Sequence, residues 1–107
     1  MEMDFGGLVI GWLRSRGAHY IAEAAMQGRD LAHELLREYP PAARRFALGM
    51  LGTEGVARLR SMGEREFDAI LTRVMVEEPP IGQYLWPYRR WFLQQLALAR
   101  DLFLEGA

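Results

Sequence analysis

The sequence predicts an all-α protein, and two observations support that prediction. Glycine and proline residues divide the chain into about five pieces, and within them the apolar residues recur with the 3.6-residue period of an α-helix. No segment shows apolar and polar residues alternating over four or more positions, which would indicate a half-buried strand. The 107 residues suffice for one core. We therefore expect residues 1–107 to form a single-domain irregular bundle of about five helices.

The first part of the chain predicts two helices. Asp4 is a suitable N-cap for the first, which runs to about Arg16, where Gly17 can break it. Residues 18–38 predict a second, longer helix, and "YPP" at 39–41 ends it, because a residue before proline disfavours the α conformation. The predicted apolar face of this longer helix has eight members: Ile21, Ala24, Ala25, Gly28, Leu31, Ala32, Leu35 and Leu36.

Two short helices are expected next, separated by the glycine-rich stretch "GTEG". Pro41 can be the first residue of the earlier one, since its fixed φ suits the first helical turn. Thr53 is a candidate cap for the later one. Ser61 and Glu64 then have the three-residue separation of a capping box, which predicts a further helix to about Glu77.

The last helix is expected to begin at Pro87 and to run to Leu104. Before it, "EEPPIG" at 77–82 is expected to be a rigid loop, and Trp86 to be extended. The predicted apolar face of the last helix comprises Tyr88, Phe92, Leu96, Ala99 and Phe103. Its predicted polar face comprises Arg90, Gln94, Asp101 and Glu105.

Composition restricts the chemistry and the partners of the chain. The chain has no cysteine, which excludes disulfides, thiolate nucleophiles and cysteine metal sites. The net charge of -1 gives no overall field to attract nucleic acid or anionic lipid. All 13 basic residues are arginine, and lysine and asparagine are absent, which suggests a gene of high GC content. The choice of arginine over lysine therefore says little about recognition of phosphate.

The apolar run "FGGLVIGWL", residues 5–13, resembles neither a membrane span nor a secretory signal. It is far shorter than the roughly 20 residues that cross a bilayer. Acidic Glu2 and Asp4 precede it and Arg14 and Arg16 follow it, which reverses the charge order of a signal peptide. We expect a cytoplasmic protein without membrane association.

The polar face of the predicted helix 18–38 carries the only collection of metal-type ligands, namely His19, Glu23, Asp30 and His33. A carboxylate with a histidine three residues on is how helical bundles present metal ligands. However, the chain has no third histidine, and a solvated helix face explains the same residues. A metal-binding protein is therefore the third functional hypothesis, and we expect no metal and no cofactor.

Nucleophilic catalysis has few candidate groups in this sequence. The hydroxyl side chains other than tyrosine are Ser15, Thr53, Ser61 and Thr72. No lysine can act as a base, and no Gly-x-Ser-x-Gly motif is present. We therefore expect a protein that is not an enzyme.

The segment "FALGMLGTEGVARLRSMG", residues 46–63, resembles a helix-hairpin-helix module, in which a glycine-rich turn offers backbone amides to a phosphate. That family has a single hydrophobic residue between two glycines, whereas Met50 and Leu51 separate Gly49 from Gly52, and acidic Glu54 replaces the usual basic residue. Residues 39–90 hold eight arginines against six acidic residues, too small an excess for a basic patch. Nucleic-acid binding is the alternative hypothesis and is not favoured.

The stretch "YLWPYRRWF" holds five aromatic residues that are candidates for an interface: Tyr84, Trp86, Tyr88, Trp91 and Phe92. Burying one large apolar side chain stabilises a protein by about 1.5 to 3 kcal/mol, so most of these rings are expected to be buried. They can be buried in the chain's own core or against another chain, where Trp, Tyr and Arg are frequent anchors. The sequence thus predicts a small non-catalytic interaction or regulatory module, either a homo-oligomer or part of a larger assembly.

Overall fold

The computed structural model describes residues 5–105, and nearly all of them are helical. The elements follow in the order α1 Phe5–Arg16, α2 Ala18–Met26, α3 Leu31–Arg37, α4 Pro41–Arg60, α5 Glu64–Glu77, α6 Pro79–Leu85, a 3₁₀-helix Trp86–Tyr88 and α7 Arg89–Leu104. No strand occurs between residues 5 and 105, which confirms the all-α class. Asp4, the predicted first N-cap, lies outside the described residues, and the extent of the domain, 1–107, stays a prediction.

The core is one continuous cluster to which every α-helix contributes. Three helices, α3, α4 and α5, pack against α7, while α6 packs against α2 and α5. The buried side chains of α7 are Phe92, Leu96, Ala99 and Phe103, and its four predicted polar residues are exposed. The predicted faces of this helix are therefore confirmed, except that Tyr88 lies in the preceding 3₁₀-helix and is half-buried.

The apolar N-terminal segment belongs to this core. Phe5, Val9, Ile10, Trp12 and Leu13 of α1 are all buried. No helix within residues 5–105 combines the length and the apolar character needed to cross a membrane.

The predicted helix 18–38 is wrong, because two helices with a turn between them occupy that range. Gly28, expected on the apolar face, has φ 64° and ends α2. Its N–H donates to the Ala25 carbonyl (3.2 Å) and the Arg29 N–H to the Ala24 carbonyl (2.8 Å). This pair of bonds is a Schellman motif, which only a residue with positive φ completes easily.

The turn between α4 and α5 also differs from the prediction. The Ser61 hydroxyl donates to the Arg58 carbonyl (3.0 Å) at the end of α4, so it does not cap α5. Gly63 is the N-cap of α5, and its N–H donates to the Glu66 carboxylate (2.9 Å). This hydrogen bond is the main cause of the lowered pKa of the Glu66 carboxyl group. The cap therefore lies two residues later than Ser61 and uses Glu66 in place of Glu64.

The segment expected to be a rigid loop forms a helix. Pro79 and Pro80 begin α6, where the missing N–H groups of proline leave no hydrogen bond unmade. A Cβ at Gly82 would lie 2.8 Å from the Met75 Cα, so glycine permits α6 to approach α5 closely. Trp86 is helical (φ -53°, ψ -47°) and not extended, and α7 begins at Arg89, two residues after Pro87.

Candidate functional site

The four candidate metal ligands do not form one face. His19 and Glu23 lie on α2, whereas Asp30 and His33 lie at the start of α3, beyond the turn that contains Gly28. All four side chains are exposed; His33 Nδ1 contacts Asp30 Oδ2, and Glu23 lies 4.0 Å from Arg29. Between residues 5 and 105 no three His, Asp or Glu side chains are grouped so that they could hold a metal ion. The arrangement in one stripe was wrong because it assumed an unbroken helix.

The aromatic segment is divided between the core and the surface. Phe92 is buried, Tyr88 and Trp91 are half-buried, and Tyr84 and Trp86 are 44% and 51% exposed. The Arg89 guanidinium lies 4.8 Å from the centre of the Trp86 ring, a cation–π contact, and donates to the Trp86 carbonyl (3.2 Å). The expectation that most of these rings are buried therefore holds for Phe92 and in part for Tyr88 and Trp91.

Helix α4 carries two of the exposed large apolar side chains. Of its 20 residues only Ala47, Leu48 and Leu59 are buried, and its main contact is with α7. Phe46 and Met50, one turn apart, are 68% and 59% exposed. Two large apolar side chains exposed one turn apart on a helix make this surface a candidate interaction site.

The same helix, together with Ser61 after it, lines a groove. Its volume is about 910 Å³, and it is open to solvent. The lining residues are Leu48, Gly49, Gly52, Thr53, Val56, Ala57, Arg60 and Ser61. We call Phe46, Met50 and this groove together the α4 surface. Most of its lining groups are small or apolar, so it fits apolar side chains better than a charged ligand.

A kink at Gly52 gives α4 its shape. Gly52 has φ 72° and ψ -178°, whereas the residues on either side are helical. The predicted break in "GTEG" is therefore confirmed. The predicted cap at Thr53 is wrong, because the non-helical residue, which takes the place of an N-cap, is Gly52. In the segment that resembles a helix-hairpin-helix module, exposed Glu54 follows this break. Its negative charge favours the helix N-terminus and opposes a phosphate there.

Two titratable groups have displaced pKa values with local structural causes. Burial, and then the charge of Glu38, raises the pKa of the Tyr39 hydroxyl. The pKa of Glu66 is lowered by the cap of α5. Neither residue lines the α4 surface.

No family model, curated protein or solved structure matches this chain. The sequence reasoning did not identify Phe46 or Met50. A signal was present, because "FALGML", residues 46–51, places apolar side chains around most of a helix, and one packing partner cannot cover them all.

Proposed function

We propose that the chain is a small, non-catalytic helical interaction module that binds a second copy of itself through the α4 surface. The single observation that carries the proposal is the exposure of Phe46 and Met50 on the helix that also lines an open groove. Burying two such side chains is favourable by several kcal/mol, at about 1.5 to 3 kcal/mol each.

A second copy fits this surface because both complementary features occur on one helix. In a twofold dimer the same patch of both copies forms the interface, so each copy must supply a projecting group and a receiving surface. Phe46 and Met50 project, while Gly49, Gly52 and Ala57 leave room for a partner. The net charge of -1 produces little repulsion between copies.

The hydroxyl groups support a non-catalytic role. Ser15 donates to the Trp12 carbonyl (2.7 Å), Ser61 to the Arg58 carbonyl (3.0 Å) and Thr72 to the Asp68 carbonyl (2.9 Å). Each bond lies within one helix or at its end, which is the usual role of a hydroxyl in a helix. None of these groups is placed against a base in the manner of an activated nucleophile.

Sedimentation velocity over a concentration series to tens of micromolar tests the proposal, since association follows mass action. The chain is expected to dimerise, and Phe46→Ser and Met50→Ser to shift the equilibrium toward monomer. Met26→Ser and Val76→Ser are matched controls, because these apolar side chains are 77% and 74% exposed on other helices. A monomeric chain, or equal effects of all four substitutions, contradicts the proposal; a larger complex with a different protein would replace it.

A further inference from the structure

We infer that Gly52 is a hinge about which two copies of the chain exchange halves, so that the dimer is domain-swapped. This inference rests on the proposed self-association and specifies its route. The halves are residues 5–51, with α1 to α3 and the first part of α4, and residues 53–105, with the rest of α4 and α5 to α7.

A change in the backbone angles of Gly52 alone would be enough to move one half of the chain relative to the other. Its φ of 72° and ψ of -178° lie in a region that only glycine occupies readily, while both neighbouring segments are helical. A Cβ at Gly52 would meet no group within 4 Å, so no other part of the chain is packed against the residue at that position. If Gly52 adopts helical angles, α4 becomes one straight helix and the two halves of a chain separate.

In a swapped dimer, the contacts that now join the two halves of one chain would form between the two chains. The main partner of α2 is α6, and the main partner of α3 is α7, so both packings cross the hinge. The Ala32 N–H donates to Gln95 Oε1 (3.1 Å), which joins α3 to α7. The Arg44 guanidinium donates to the Leu102 carbonyl (2.9 Å), which joins the first part of α4 to α7.

Two further contacts of α1 cross the hinge. The rings of Phe5 and Phe103 meet edge to face with centroids 6.3 Å apart. Arg14 forms an ion pair with Glu78, the residue before α6. Because the missing half is identical in every copy, a swapped dimer reproduces each of these contacts between chains instead of within one.

The α4 surface gains a function in this arrangement. Two straight α4 helices would pass each other near their hinges, where Gly49 allows a close approach. Phe46 and Met50, exposed in the single chain, lie on the same segment and would be covered there. The new interface of the dimer thus buries Phe46 and Met50, which are exposed to water in the single chain.

Gly52→Ala tests the hinge directly. Alanine is disfavoured at φ 72° and favoured in a helix, so this substitution is expected to raise the dimer association constant about tenfold or more. Gly11→Ala is the matched control, since Gly11 lies inside α1, outside the α4 surface, without a positive φ and with free space around a Cβ. Equal association constants for the two variants overturn the inference.

A second experiment keeps the inference testable if Gly52→Ala does not fold. The chain has no cysteine, so Arg14→Cys in one copy and Glu78→Cys in another give single reactive thiols. The two variants are mixed, unfolded, refolded together and treated with a short bismaleimide. A cross-linked heterodimer is expected, and a Gly-Ser-Gly insertion after Gly52 should abolish it by favouring the closed chain.

The two proposals fail in different ways. A dimer that is lost in Phe46→Ser but yields no cross-link between positions 14 and 78 overturns the exchange of halves and keeps docking at the α4 surface. A monomeric unsubstituted chain at every concentration overturns the proposed function and, with it, the exchange.

Discussion

The backbone N–H of Ala32 donates to the side-chain Oε1 of Gln95 at 3.1 Å, across 63 positions of sequence. Ala32 is in the first turn of α3, where backbone N–H groups have no partner within the helix. The half-buried Gln95 of α7 thus caps the N-terminus of α3. The position of α3 therefore depends on a hydrogen bond from a residue that is distant in the sequence.

Gln95→Leu is expected to lower the free energy of unfolding by about 1 to 3 kcal/mol, because it leaves the Ala32 N–H without an acceptor. Urea unfolding followed by circular dichroism measures the change. Gln94→Leu is the control, since Gln94 is exposed on the same helix, and its effect should stay within about 0.5 kcal/mol. Equal losses would show that the bond contributes nothing.

Gly82→Ala is expected to destabilise the fold by about 1 to 3 kcal/mol, because the new Cβ would lie 2.8 Å from the Met75 Cα and force α5 and α6 apart. Thermal unfolding of this variant and of Gly49→Ala makes the comparison. Gly49→Ala has space for its Cβ and should raise stability slightly. A neutral Gly82→Ala would refute the close packing of α5 on α6.

Phe92→Ala is expected to destabilise the fold by about 3 to 5 kcal/mol, the range for an emptied aromatic core site. Trp86→Ala, six residues earlier, removes a ring that is half in solvent and stacks on Arg89, so its effect should be below about 1 kcal/mol. Chemical denaturation distinguishes the two substitutions. Comparable losses would mean that the aromatic segment is buried as one unit.

Glu66→Gln is expected to lower stability near neutral pH, with a difference that narrows in acid. The hydrogen bond from the Gly63 N–H lowers the pKa of Glu66 in the folded chain, so the folded chain binds fewer protons at this group than the unfolded chain. Its contribution is therefore full above the unfolded pKa and is lost as pH falls through the folded pKa.

Urea unfolding at a series of pH values between neutral and acid measures this dependence. Glu64→Gln is the control, because it removes the same charge from the same helical turn and leaves the charged acceptor of the Gly63 N–H in place. If both variants lose stability with the same pH dependence, the hydrogen bond to Gly63 is not the cause.

The sequence predicted the helix class and the faces of α7 because both depend on local periodicity. It did not predict the end of α2 at Gly28, since a glycine on an apolar face is compatible with either a continued helix or a Schellman motif. Likewise, "EEPPIG" fits a loop as well as the first turn of a helix. The packing of α6 on α2 and α5 decides between them, and the sequence alone does not contain that packing.

The candidate site was less predictable than the fold for the same reason. Which side of α4 is covered depends on how it meets α7, so the exposure of Phe46 and Met50 follows from tertiary structure. The aromatic interface candidates were divided because α6 and the 3₁₀-helix turn Tyr84 and Trp86 outward, while α7 turns Phe92 inward. Whether those exposed rings contact a partner stays a prediction.

Sedimentation velocity of the unsubstituted chain beside Phe46→Ser is the most direct test of self-association through the α4 surface. The account predicts a dimer of the unsubstituted chain whose population grows with concentration, and a monomer for Phe46→Ser with unchanged helix content. A monomer in both cases, or a dimer that Phe46→Ser leaves intact, would contradict it.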